Sequence, residues 1–388
     1  SSDLTDNTLC AWGRNIYGQV GDGTRVYRSS PIQVGANISS TSRINRGSDS
    51  RQVLATGKPL SLELWSSGNN GWGQFGDGTT VSKSSPVQIG ADINWVQISN
   101  GKFSTAAIKN NGTLWTWGRN TSGQLGQNDV IARSSPVQVG SLTTWKQCAS
   151  GIDAMFAVKT DGTLWSWGKN TNGQLGLNVS TATLNSSPVQ VGALTTWATI
   201  KAGSNIVAAI KNDNSLWSWG RNNYGQLGLS DTVDKSSPVQ VGLLTNWRSI
   251  SASRGFMAVT KTDGTMWSWG NNYNGQLGQN NRATYLQVSS PKQIGALTTW
   301  KTVGLGNAHG IALKTDGTMW SWGYNSYGQL GLNNTITRSS PIQIGSLTTW
   351  SQGVAGYRSS YALKTDGTLW SWGYNAYGQL GQNNTTNL

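Results

Sequence analysis

The chain writes one phrase eight times, and this repetition restricts its fold more than any other property. "TLWSWGYNAYGQLGQNN" at residues 368–384 recurs, with losses, as "TLCAWGRNIYGQVGDGT" from Thr8, "ELWSSGNNGWGQFGDGT" from Glu63 and "TLWTWGRNTSGQLGQND" from Thr113. Further copies start at Thr163, Ser215, Thr265 and Thr318. The glycines that close the tryptophan run (Gly13, Gly68, Gly118, Gly168, Gly220, Gly270, Gly323 and Gly373) are spaced by 55, 50, 50, 52, 50, 53 and 50 residues. A period of about fifty residues is one supersecondary unit, too small to bury its own apolar faces. The 388 residues therefore read as one ring or array, residues 1–388, and not as two or three independent domains.

Within one unit, Trp95-Val-Gln-Ile98 and Thr105-Ala-Ala-Ile108 are short apolar runs ended by glycine or a turn, which suits strands. Asn110-Asn-Gly112, written Thr-Asp-Gly in four other copies, reads as a type I′ hairpin turn, so the next strand is antiparallel. In Thr113-Leu-Trp-Thr-Trp117 alternation sends Leu114 and Thr116 to one face and Trp115 and Trp117 to the other, and neither face is polar. A sheet apolar on both sides needs a sheet stacked on each side, as in the radial blades of a propeller. Gly118, Asn120, Gly123 and Gly126 then build a tight loop around Gln124-Leu125. Pro136 opens a fourth, outermost strand, where its missing N–H costs little. Trp115, Trp167, Trp219, Trp269, Trp322 and Trp372 are expected between blades. Cys10 and Cys148 occupy apolar slots of the repeat and read as small core residues.

Seven proline-led strands, at Pro31, Pro86, Pro136, Pro188, Pro238, Pro291 and Pro341, set seven blades against eight tryptophan strands. The mismatch predicts closure by both chain ends: residues 29–36 supply the outer strand of the blade formed by 350–374. The C-terminal tryptophan strand keeps its place over the N-terminal copy, which leaves residues 1–24 as an anchoring segment outside the ring.

The phrase Trp-Gly-x-Asn-x-x-Gly-Gln-Leu-Gly, preceded by Lys-Thr-Asp-Gly-Thr-Leu-Trp-Ser, resembles the regulator of chromosome condensation repeat family over nearly the whole chain. The resemblance implies an all-β, seven-bladed β-propeller of four-stranded blades, closed by N- and C-terminal segments, and a role as an interaction platform. The family's members include a nucleotide exchange factor of a small nuclear GTPase and a secreted β-lactamase inhibitor. The histidine common in the family's second strand survives here only as His309; Ser104, Ala154, Ile206, Phe256 and Ser359 hold the corresponding place. Among these, His309 reads as a hydrogen-bonded structural residue.

One histidine and two core-like cysteines supply neither a triad nor a metal cage. Asp161, Asp213, Asp263, Asp316 and Asp366 fall on hairpin turns, where backbone geometry asks for them. The glycine-rich loops lack the Gly-Lys-Ser/Thr of a phosphate cradle. The expectation is a protein that is not an enzyme, with no catalytic residues, no metal and no cofactor.

Net charge is +13, but fifteen of the 29 basic residues come from three repeat positions, expected to form a solvated rim. One of those positions supplies the candidate binding residues Arg14, Arg119, Lys169 and Arg221, joined in two copies by Tyr324 and Tyr374; all six should lie on one rim. The expected function is that of a non-catalytic binding or structural propeller, extracellular or virion-associated, with Asn/Thr/Ser/Gly-rich loops facing its partner. That partner is a protein or larger assembly, or an anionic glycan, with no membrane insertion. Two alternatives stand beside it: a soluble inhibitor or regulator covering a partner with one face, and a nucleic-acid, chromatin or GTPase-exchange propeller.

Overall fold

A computed structural model describes residues 10–13, 28–33, 44–45, 52–56, 64–68, 70–81, 83–92, 94–179, 184–281, 287–356, 358–366 and 369–373. Every regular element among them is a β-strand. Six antiparallel four-stranded sheets follow one another in chain order. In one of them the inner strand Trp95–Asn100 pairs with Ser104–Lys109, that with Leu114–Gly118, and that with the outer strand Arg133–Gln138. Their equivalents begin at Ile44, Trp145, Trp197, Trp247 and Trp300. Trp350–Ala355, Ser359–Lys364 and Leu369–Gly373 form a seventh, three-stranded sheet. This is the expected all-β propeller of four-stranded blades, its seven inner strands giving seven blades.

The hairpin between second and third strands departs from type I′. Gly112 alone has positive φ, +76°, while Asn110 and Asn111 do not. Gly112 N–H donates to Lys109 O at 2.9 Å and Lys109 N–H to Thr113 O at 3.0 Å, the pattern of a type I turn followed by a glycine bulge. The third position explains the choice. Asp161 Oδ1 accepts from both the N–H (2.9 Å) and the hydroxyl (2.7 Å) of Thr163, and that hydroxyl accepts from Trp165 Nε1 at 2.9 Å. The side chain thus fixes the turn and the first tryptophan together.

The core lies between blades. Phe156, Val158, Leu164 and Leu175 of one blade pack on Trp197, Ile200, Val207 and Trp219 of the next. Trp117, Trp167, Trp219, Trp269 and Trp322 are fully buried and Trp372 nearly so. Trp115 belongs to the other class: it is half-buried and meets Trp95 edge-on at 6.2 Å, because it shares the face of Trp117 but lies two residues nearer the hairpin turn, at the rim of the interblade contact. Pro136 does not open its strand. The strand starts at Arg133 and its register shifts between Arg133 and Val137, so the proline sits in the irregularity, where no ladder donor is needed. Cys148 is buried, and burial pushes its thiol pKa up to about 12. Nothing is described of the Cys10 side chain.

In the seventh sheet Leu369–Gly373 pairs with Ser359–Lys364, Leu363 opposite Leu369. Arg28–Gln33, however, pairs with Cys10–Gly13 and not with Leu369–Gly373. The ribbon's register, Cys10 opposite Gln33 and Gly13 opposite Arg28, copies that of Trp115 with Gln138 and Gly118 with Arg133. It is a third-plus-outer strand pair, formed locally because a short loop closes at lower entropic cost than one spanning the whole chain.

Candidate binding face

The two faces of the propeller differ in what they leave available. On the face of the second-to-third-strand turns, the repeated lysines are not a solvated rim. Lys109, Lys159, Lys211, Lys261 and Lys314 are buried, and with Lys364 they set Nζ 3.4–3.9 Å from the ring centroid of a third-strand tryptophan. Burial lowers the pKa of Lys159, Lys211 and Lys261, opposed by the neighbouring Asp161, Asp213 and Asp263. These repeated lysines and the turn carboxylates beside them are thus occupied with the architecture of this face. Leu142, Leu194, Leu244, Leu297 and Leu347 stand partly exposed on the connections between blades.

The opposite face carries the long loops after the tryptophan strand. Each loop is built inward first. Asn120 Oδ1 accepts from Leu125 N–H at 2.8 Å, and Gln124 Oε1 from Ser122 N–H at 2.8 Å. Leu125 is thereby plugged into the core under Thr116, whose hydroxyl donates to Leu125 O at 2.6 Å. The loop also fastens the next blade: Trp117 Nε1 donates to Gln74 O, Trp167 Nε1 to Gln124 O and Trp219 Nε1 to Gln174 O, each at 2.9 Å. A Cβ on Gly123 would lie 2.7 Å from Ser186 Cα and 2.9 Å from its Cβ on the neighbouring outer strand, closer than real Cβ contacts come, and on Gly126 it would lie 2.8 Å from Trp167 Nε1.

Four of the expected site residues share one place on this face. Arg119, Lys169, Arg221 and Tyr324 each donate their backbone N–H at 2.9 Å to the turn after the inner strand, at Phe103, Asp153, Asn205 and Ala308. All four are half-buried. Arg119 is the most engaged. Its guanidinium lies 5.3 Å from the Trp72 ring and 5.5 Å from Phe103, donates from Nε to Thr121 Oγ1 at 2.8 Å, and stands 3.6 Å from Asp153. Arg14 and Tyr374 lie outside the described residues. Tyr224 with Tyr273, and Tyr324 with Tyr327, add edge-to-face aromatic pairs to the same face, and Arg358 lies over Tyr327.

Sequence reasoning missed a second ring on this face. Ile131 and Val233 have their N–H groups held by Asp129 Oδ1 and Asp231 Oδ1 at 3.0 Å, Ile336 by Asn334 Oδ1 at 2.9 Å, and Val81 by Thr79 Oγ1 at 3.3 Å. Each local turn points a β-branched side chain at solvent, leaving these four residues 52–63% exposed. Asp129 pairs with Arg133 at 2.5 Å and Asp231 with Lys235 at 2.6 Å, which stiffens the presentation. Burial works to raise both carboxyl pKa values; the N–H and cation partners outweigh it and hold them low. The signal was legible as a pattern: a β-branched residue two positions before the basic residue of every Arg/Lys-Ser-Ser-Pro in these copies.

His309 is fully buried at the second-strand position opposite Gly323, as Ser104 is opposite Gly118. Its Nε2 lies 3.0 Å from Ser360 Oγ, which itself donates to Gln329 O at 2.8 Å. The Ser360 proton is thus committed, so His309 carries its own on Nε2 and ties two blades together. No group of three potential metal ligands occurs among the described residues.

A family model described as the RCC1-like domain matches residues 148–388, and regulator of chromosome condensation (RCC1) repeat models match 63–108, 111–158 and 95–124. The chain belongs to the RCC1-like family. Among solved RCC1-like structures it is similar to Prp20p from Saccharomyces cerevisiae, with 23% identity, TM-score 0.73 and 93% of each chain covered. It is similar to human WBSCR16 at 20% identity and TM-score 0.74, covering 92% of this chain and 99% of that one. The ectodomain of the Physcomitrella patens receptor kinase CR4 matches at 14% identity and TM-score 0.51, over 86% and 73%. At these identities the likeness is one of fold.

Proposed function

We propose that this RCC1-like propeller is a non-catalytic binding protein that engages a protein partner through its long-loop face. The carrying observation is the ring of Val81, Ile131, Val233 and Ile336, exposed at positions their own loops have fixed. Apolar side chains presented without conformational freedom to lose, beside arginines and tyrosines, are what a protein interface uses. The setting belongs to the same proposal: a particle or cell exterior, supported by the near-copied repeats and their Asn/Thr/Ser/Gly-rich loops.

The alternative of a nuclear regulator draws support from Prp20p, described with binding properties to Gsp1p and histones. The charge separates those two kinds of partner. A chain of net charge +13 with 16 acidic residues, several of them locked in turns, suits an acidic protein surface better than a basic histone. The test is to replace Ile131, Val233 and Ile336 by Asn together and recover the partner from an extract of the source. Surface changes of this kind alter stability by about 0.5 kcal/mol, so the triple variant should fold and lose the partner. A partner held equally by wild type and variant would place the interface elsewhere.

A further inference from the structure

The long-loop face has a charge pattern as well as an apolar one. One hydrogen bond joins the turn after the inner strand to the residue at the end of the tryptophan strand: Arg119 N–H to Phe103 O, Lys169 to Asp153 O, Arg221 to Asn205 O and Asn271 to Gly255 O, each at 2.9 Å. The positions so joined carry six cations around the inner part of the face, Lys102, Arg254 and Arg358 in the turns and Arg119, Lys169 and Arg221 after the third strands. Asp153 is the one carboxylate at these positions among the described residues, and it stands 3.6 Å from Arg119. The other described carboxylates of the face are committed within the long loops. Asp77 Oδ1 accepts from the Thr79 N–H and hydroxyl at 3.1 and 2.9 Å, Asp234 Oδ1 accepts from Asn222 N–H at 2.7 Å, and Asp129 and Asp231 hold Arg133 and Lys235.

Three of the six cations are seated on aromatic rings. Arg119 lies 5.3 Å from Trp72, Lys102 5.1 Å from Phe103, and Arg358 5.0 Å from Tyr327, whose hydroxyl accepts from its Nη1 at 3.1 Å. Arg119 also lies 5.5 Å from Phe103, so two positive charges stand around one side chain. The other three, Lys169, Arg221 and Arg254, make no side-chain hydrogen bond or ion pair with any described residue; Arg254 is exposed and the other two are half-buried. Positive charges gathered this way repel one another, and an anionic ligand that relieves the repulsion gains affinity and on-rate.

We infer that this inner ring seats an acidic peptide segment of the partner, its carboxylates on the six cations and its apolar residues on the surrounding Val81, Ile131, Val233 and Ile336. This rests on the reading of the long-loop face as the partner face and adds the chemistry of what docks there. A nucleic acid fits less well. Its phosphates would match the cations but would be desolvated against the apolar rim, and the rings that bases could stack on are occupied by cations or, for Tyr224 and Tyr273, by each other.

The test measures binding of a labelled, end-blocked peptide of repeating Glu-Glu-Ser to the full chain by fluorescence anisotropy, with its Gln-Gln-Ser counterpart and single-stranded oligothymidylate as comparisons. Wild type should bind the acidic peptide and not the Gln-Gln-Ser one, and should release it as salt rises. Lys169→Glu with Arg221→Glu and Arg254→Glu should weaken binding about tenfold or more, as for several exposed charge pairs together. Lys146→Glu with Lys292→Glu and Lys301→Glu removes the same net charge from exposed positions outside the ring. It should leave binding nearly unchanged, because screening confines each charge to its neighbourhood. If the ring reversal melts early, Lys169→Gln with Arg221→Gln and Arg254→Gln carries the same comparison without adding charge. Equal losses in the ring and outside variants, or no peptide binding by wild type, overturn the inference. Tighter binding of oligothymidylate than of the peptide, lost in the ring variant, makes the ring a nucleic-acid surface and overturns it too. The variant with Ile131, Val233 and Ile336 changed to Asn separates this inference from the reading beneath it, since a peptide without apolar residues should still bind there. Loss of the partner by that variant, with no peptide binding by wild type, strikes the acidic site alone; peptide binding with the partner retained strikes the apolar interface alone.

Discussion

Trp115 and Trp117 stand two residues apart in one strand, and their environments predict different costs of removal. Trp117→Ala empties a fully buried interblade slot and should cost about 3–5 kcal/mol, as for large aromatic core residues. Trp115→Ala removes a half-buried ring and the seat of Lys109, and should cost visibly less in the same urea titration. Equal costs would mean that the edge-on ring is as structural as the buried one. His309 gives the pH counterpart. Burial pushes its pKa down to about 4 from 6.5. An unfolded chain binds this proton as pH falls below about 6.5, whereas the folded chain resists until about 4. Stability is therefore complete above the unfolded value and is lost as pH falls across that window, by roughly 3 kcal/mol in all. The turn carboxylates Asp161, Asp213, Asp263 and Asp316, held low by their Thr or Ser donors, lose their contribution only below the ordinary aspartate range. Urea denaturation between pH 7 and 4.5 should show a slope that His309→Gln flattens; an unchanged slope would assign it to other groups.

At the scale of the element, the Gly-Gln-Leu-Gly loop is both a turn and a fastener, and two glycines separate these roles. Gly126 and Gly140 have nearly the same backbone, φ +70° and +62°. A Cβ on Gly126 meets Trp167 at 2.8 Å, whereas one on Gly140 meets nothing within 4 Å. Gly140→Ala should therefore cost only backbone strain, on the order of 1 kcal/mol, and Gly126→Ala at least about 2 kcal/mol. Similar losses in thermal melts would show that the close approach of the next blade is not limiting. The four strands per repeat and the stacked apolar faces were legible because alternation and glycine-bounded runs act locally. The turn type was not, because Asp161 and Thr163 choose between two glycine-containing turns through side-chain bonds that composition does not reveal. The shared rim of Arg119, Lys169, Arg221 and Tyr324 followed from the period alone. The exposed valines and isoleucines did not, since an apolar residue in a loop reads as buried until the side-chain bond that holds its N–H is seen to aim it outward. Lys109 and its equivalents misled in the opposite sense: a charge beside a turn reads as solvated, and here tryptophan rings cover it.

For the whole molecule, closure of the ring turns on which strand Arg28–Gln33 faces. In the ribbon, Cys10 faces Gln33; in a ring closed by the N-terminal outer strand, Gln33 would instead face Trp370, as Gln138 faces Trp115. Gln33→Cys should oxidise onto Cys10, giving one intrachain cross-link identifiable by peptide mass. If Gln33→Cys with Trp370→Cys and Cys10→Ala cross-links as readily, residues 29–36 close the blade of 350–374. The same duplication of strands bears on how the ring is made. The third strands Leu164–Gly168, Leu216–Gly220 and Leu369–Gly373 are the same five residues, Leu-Trp-Ser-Trp-Gly. Nothing in their side chains tells one second strand from another, so a hairpin formed with the wrong copy gains almost the same contacts as the right one. Only chain distance discriminates: the partner a few residues away is found sooner than one fifty or two hundred residues away. A ribosome releases each blade before its look-alike exists and enforces that order, whereas a fully denatured chain meets all copies at once. Refolding from denaturant should accordingly stall in blade-exchanged traps, with a yield that falls as more copies are present and recovers when individual strands are given distinct sequences.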